Sequence, residues 1–156
     1  MFAKDLYDFI TLLNKHNADY LVVGGYAVGI YGYPRATGDL DVWLNPVKDN
    51  YPRIKNAVVE FGFPETSFLT EKEFLSQTMF RMGNPPLRIE ILTDISGVTF
   101  AEAYGNRIEK TIEGLKICFI GYNELIKNKL ASGRPKDLLD VKYFERNNPK
   151  KNKKTK

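Results

Sequence analysis

The chain has 156 residues, 43% hydrophobic and 13% aromatic: enough for one packed core, too little for a catalytic domain joined to a large specificity domain. No apolar run approaches the roughly 18 residues of a membrane span. A lone Cys118 cannot form an internal disulfide, and with His16 as the only histidine there is no set of zinc ligands.

Phe2, Leu6, Phe9, Ile10 and Leu13 recur at helical spacing, which predicts an amphipathic helix over 2–16 rather than a secretory leader. His16 falls in its last turn with no partner apparent in sequence. An apolar strand over 20–23 hands over at Gly24-Gly25 to a short helix, and a second strand follows through Leu44. A long helix is expected over 47–61, stopped at Gly62. Thr70 and Glu73 have the spacing of a capping box and should open a short helix through Gln77. Two hairpins follow, 78–82 with 87–92 and 107–112 with 115–120, the second turning at Glu113-Gly114. Between them, 94–104 reads as a turn and a short helix. Asn123 is positioned to cap a helix over 124–131, and Pro135 or Lys136 should start a last helix running to about Arg146. The resulting expectation is an α+β fold: a mixed sheet of about five strands carrying acids at its edge, with helices on the other face. Residues 1–146 form the single domain and 147–156 a flexible tail. That tail holds five of the 23 basic residues, leaving 18 basic against 19 acidic in the domain. It reads as a solubilising end or as a phosphate-contacting arm for a nucleic-acid acceptor.

The stretch 20–44 carries the chemistry. Leu40, Val42 and Leu44 alternate with Asp39, Asp41 and Trp43, so the two aspartates share one face, about 7 Å apart along the strand. Aspartate is depleted in strands, and neighbouring carboxylates repel unless a cation lies between them. At this spacing they can converge on divalent metals roughly 3.5–4 Å apart. Gly24 and Gly25 lie where a strand meets a helix N-terminus, and a missing Cβ there allows a phosphate to approach the backbone. Arg35 and Thr37 precede the carboxylate strand; the guanidinium suits triphosphate or acceptor anions. Otherwise both are ordinary loop residues. Glu90, between Ile89 and Ile91, is an acid inside an apolar strand, which requires an ion pair (Arg88 is the near candidate) or a metal.

Gly24-Gly25, thirteen residues, then Asp39-Leu-Asp41-Val resembles the h-G-[GS]…[DE]-h-[DE]-h signature of the DNA polymerase beta-like nucleotidyltransferase superfamily. Arg35-Ala-Thr37-Gly-Asp39 resembles the R-x-T-x-D-[LI]-D variant of small bacterial members, among them lincosamide-type nucleotidyltransferases and AbiEii-type toxins. The resemblance implies that Glu90 is the third metal carboxylate, although the family more often has aspartate there. It also implies that Lys129, in Lys129-Leu-Ala-Ser-Gly-Arg-Pro-Lys-Asp137, contacts nucleotide phosphates and that Asp137 is the acid of a K-D-x-x-D pattern; otherwise Asp137 complements the helix dipole and Lys129 is a surface residue. Gly25 departs from the common serine and offers only its backbone N–H.

The implied function is metal-dependent transfer of a nucleoside monophosphate from an NTP, ATP included, to a hydroxyl acceptor with release of pyrophosphate. Two Mg²⁺ ions would be held by Asp39, Asp41 and Glu90. The acceptor is a small molecule, a tRNA or a protein, and the protein is expected in the cytoplasm, possible partners being a second copy or a toxin–antitoxin mate. The alternatives are a toxin–antitoxin component and a non-catalytic nucleotide-binding domain of the same fold.

Overall fold

Leu6, Phe9, Ile10 and Leu13 fall on one stripe, and all four are fully buried on α1 (Lys4–Lys15) of the computed structural model, which describes residues 3–34, 37–76, 78–84 and 88–147. Asn17 takes a left-handed conformation (φ 56°) and turns the chain into β1 (Tyr20–Val23), a four-residue strand buried throughout. α2 (Gly24–Ile30) follows directly, then β2 (Leu40–Leu44). α3 (Tyr51–Phe61) ends at Gly62, whose φ of 114° terminates it without a Cβ penalty. α4 (Glu71–Phe74) is opened by the expected capping box: Glu73 N donates to Thr70 Oγ1 at 3.2 Å and Thr70 N to Glu73 Oε1 at 2.8 Å. It stops earlier than expected, and Gln77 lies outside the described residues.

β3 (Met79–Met82) and β4 (Ile89–Leu92) pair antiparallel, as do β5 (Ile108–Ile112) and β6 (Leu115–Phe119). Glu113 and Gly114 both have positive φ (52° and 80°), the two-residue turn that matches strand twist. α5 (Phe100–Gly105) lies between the hairpins, and α6 (Tyr122–Ser132) and α7 (Pro135–Asn147) complete the fold. Gly121, not Asn123, is the α6 N-cap, and glycine is needed at that position because a Cβ would press on Asn106 O and Glu124 Oε1.

The sheet has six strands in the order β3-β4-β2-β1-β6-β5, one more than expected. β1 is antiparallel to β2 and parallel to β6, and β2 is parallel to β4, so the sheet is mixed. β2 and β4 are interior strands, so the acids do not sit on an edge strand. Nor are helices confined to the opposite face. Trp43, on the aspartate side of β2, is buried against Phe100 of α5 with ring centroids 5.1 Å apart. The core runs from Phe9 and Tyr20 through Leu40 and Leu44 to Phe119 and Phe144, all at 2% exposure or less, each such side chain contributing about 1.5–3 kcal/mol. Among the described residues no helix is long and apolar enough to cross a membrane.

Candidate active site

Parallel pairing of β2 with β4 sets Asp41 directly beside Glu90, and pairing of β1 with β2 sets Asp41 opposite Val23, the residue before Gly24. The strand pleat keeps Asp39 on the same side as Asp41. Two carboxylate-bearing segments separated by 49 residues and the Gly24-Gly25 turn thus meet at one place. A cavity of about 740 Å³ opens there, and Gly24, Gly25, Thr37, Asp39, Asp41, Glu90, Lys129 and Asp137 all line it. Arg35 lies outside the described residues.

The glycines serve a different neighbour from the one expected. Gly24 has φ +67°, and a Cβ built on it would collide with Asp41 Oδ2. One on Gly25 would come within 2.5 Å of Thr37 Oγ1. The space that a side chain would fill is taken by the Asp41 carboxylate and the Thr37 hydroxyl, rather than left open to a phosphate. Thr37 Oγ1 in turn donates to Asp39 O at 3.4 Å, the local loop contact weighed above.

Two of the three acids are answered by arginine. Asp39 Oδ2 accepts from Arg88 Nη2 at 2.8 Å, and Glu90 Oε2 accepts from Arg81 Nε at 3.1 Å. The pairing follows from register, since Arg81 on β3 is the direct neighbour of Glu90. Arg88 therefore pairs with Asp39 and not with Glu90. Asp41 has no hydrogen bond or ion pair among the described residues. Burial first, then the Glu90 and Asp39 carboxylates, push its pKa up to about 7.

As placed, no three acidic, histidine or cysteine side chains among the described residues converge on one point, because Asp39 and Glu90 are turned to their arginines. The donor set is nevertheless all carboxylate oxygen, the chemistry that Mg²⁺ takes. Asp41, confined beside two like charges without a counter-ion of its own, is the group a divalent cation would relieve. The residues fit such an ion once the arginine contacts are exchanged.

The opposite wall belongs to α6 and α7. Lys129 Nζ sits 3.0 Å from Asp137 Oδ1 and 2.9 Å from Asp140 Oδ2, and the three side chains are only 4%, 6% and 3% exposed. Asp137 also accepts from Ser132 Oγ (2.5 Å) and Arg134 Nε (2.9 Å). Burial would raise its pKa, but the hydrogen bonds from Ser132, Lys129 and Arg134 outweigh it and hold the carboxyl below its ordinary value. Lys129 is thus neither a surface lysine nor a free cation. Lys136, the lysine of the K-D-x-x-D pattern, is exposed on the same cavity wall. Asp140, the second acid of that pattern, was given no role of its own, although its i, i+3 spacing from Asp137 already put both on one helix face. Arg81 had no sequence signal, because its role depends on strand register.

The family model described as "Nucleotidyltransferase of unknown function (DUF6036)" matches residues 3–145. Among solved structures, a Thermotoga maritima protein (TM1012) described as a "putative nucleotidyltransferase" superposes with a TM-score of 0.62 at 15% identity, over 91% of each chain. That likeness shows the fold. No curated protein matches the chain.

Proposed function

The chain belongs to this nucleotidyltransferase family, and on that premise we propose that it transfers a nucleoside monophosphate from an NTP to a hydroxyl-bearing acceptor. The acceptor oxygen forms a bond to the α-phosphorus, the bond from that phosphorus to the bridging oxygen of pyrophosphate breaks, and the hydroxyl proton is released. The observation that carries the reading is the side-by-side placement of Asp41 and Glu90, with Asp39 one strand repeat away, on the floor of a cavity wide enough for a nucleotide.

Asp39, Asp41 and Glu90 would hold the metal, two Mg²⁺ in this reading. Bound Mg²⁺ lowers the pKa of an acceptor hydroxyl and neutralises charge gathering on the leaving group. Gly24 lets the Asp41 carboxylate pack against the β1–α2 turn on the wall of that cavity. Arg88 and Arg81 hold the Asp39 and Glu90 carboxylates at the cavity wall. We place the activity in a reducing compartment such as the cytoplasm, where Cys118, buried and with its thiol pKa raised by that burial, stays reduced.

The test is incubation of the full chain with each labelled NTP, magnesium and cell extract, followed by identification of whatever acquires label. Asp41→Asn should reduce transfer about a thousandfold or more, the loss of several kcal/mol of charge stabilisation. Full transfer by that variant would exclude the metal role, and no label from any NTP would exclude the reaction.

A further inference from the structure

Two lysines stand on the α6–α7 wall of the cavity, and their surroundings differ in kind. Lys129 is buried, and its ammonium is shared between Asp137 and Asp140. Drawing it onto a ligand phosphate would strip a buried counter-ion from Asp140 and one of three cationic or hydroxyl donors from Asp137, which is strongly unfavourable in a site closed to water. Arg134 is committed through Nε to Asp137. Lys136 carries none of these obligations. It is exposed, lines the cavity beside Asp137, and has no ion pair among the described residues. Its four-carbon stem lets the ammonium be placed at little cost.

We propose that Lys136, and not Lys129, is the cation that meets the β- and γ-phosphates of the bound triphosphate, and that Lys129 is a structural counter-ion joining α7 to α6. This rests on the nucleotidyltransferase reading above. It assigns the triphosphate contact to the lysine of the K-D-x-x-D pattern, to which the resemblance gave no phosphate role, on the ground that Lys129, to which it did, is already neutralised.

The experiment is equilibrium binding of the four NTPs and the four matching NMPs to the full chain with Mg²⁺ and no acceptor, so that no turnover is needed. Lys136→Ala should bind the preferred NTP about tenfold or more weakly, the size of a lost charge-assisted hydrogen bond, while NMP binding is unchanged. Lys136→Arg should restore most of the difference. Lys129→Met should unfold at lower denaturant yet, where folded, keep its preference for NTP over NMP. A folded Lys136→Ala protein with the wild-type preference would overturn the assignment, as would a folded Lys129→Met protein that alone loses it. If the wild-type chain binds no NTP at all, the reaction reading beneath it fails and the assignment goes with it.

Discussion

Asp41 is an ionisable group that the fold does little to keep ionised. It sits between two other carboxylates, under Gly24, with no donor or cation in contact among the described residues. Its pKa is raised from 3.8 to about 7, so ionising it costs the folded state more than the unfolded one. For an acid shifted upward, the stability contribution is fully present below the unfolded value and is lost as pH rises towards the folded one. The window is therefore pH 3.8 to 7. Asp41→Asn, which abolishes the charge, should stabilise the metal-free protein at pH 8 by about 2 kcal/mol. That is less than the roughly 4 kcal/mol of three full pKa units, because partial exposure screens the site. At pH 4 it should change stability little. Urea denaturation at the two pH values checks this, and a variant less stable than wild type at pH 8 would show that Asp41 is satisfied without a cation. That a single substitution should raise stability while removing transfer is the mark of a residue kept for function. The aspartate alternation was legible in the sequence because a period of two needs no knowledge of neighbours. The reason for Gly24 was not: what fills the space over it comes from β2, and only the β1–β2 register brings it there.

α6 and α7 are joined through charge as well as apolar contact. α7 buries Val141 and Phe144, the latter with its ring 5.5 Å from Tyr122 of α6, but it also buries Asp137 and Asp140 while leaving Leu138 and Leu139 exposed. The Lys129 ammonium makes that burial tolerable, and Ser132 and Arg134 complete the shell around Asp137. Removing the cation from such a cluster typically costs about 3–5 kcal/mol, because the acids remain. Lys129→Met should therefore lower the urea midpoint sharply, and Lys129→Met with Asp140→Asn should recover part of the loss. No recovery would mean that Asp140 does not depend on Lys129. The pH dependence has the opposite sign to that of Asp41. The folded-state pKa of Asp137 lies below 3.8, so its contribution is present above that value and is lost as pH falls further. The elements themselves were readable where the signal is local: the Thr70–Glu73 box, the Glu113-Gly114 turn, the stripe of α1. What escaped was set by distant partners. Arg88 pairs with Asp39 across 49 residues, and His16 bonds Glu60 at 2.9 Å across the α1–α3 contact, although nothing near it in the sequence offers a partner.

At the scale of the molecule, charge is divided between a near-neutral domain and a basic end. Residues 148–156 carry five lysines and no acid, against 18 basic and 19 acidic residues in the rest. An anionic cavity floor softened by Arg81, Arg88 and Lys136 suits a nucleotide brought with its metal, but the domain as a whole has no net positive charge to draw in a polynucleotide. If the acceptor is an RNA, the lysine-rich end is the natural source of phosphate contacts. Each lysine engaged by a single strand contributes about 0.7 to the slope of log affinity against log salt. Removing residues 148–156, with their five lysines, should then flatten that slope by up to about 3.5 and weaken RNA binding at low salt most of all. NTP binding, on β2, β4 and the α6–α7 wall, should be unchanged. A salt titration of RNA binding by the full and shortened chains decides the matter. Equal slopes would remove the basic end from recognition, and an RNA acceptor would then have to be held by the near-neutral domain alone, which favours a small hydroxyl compound instead.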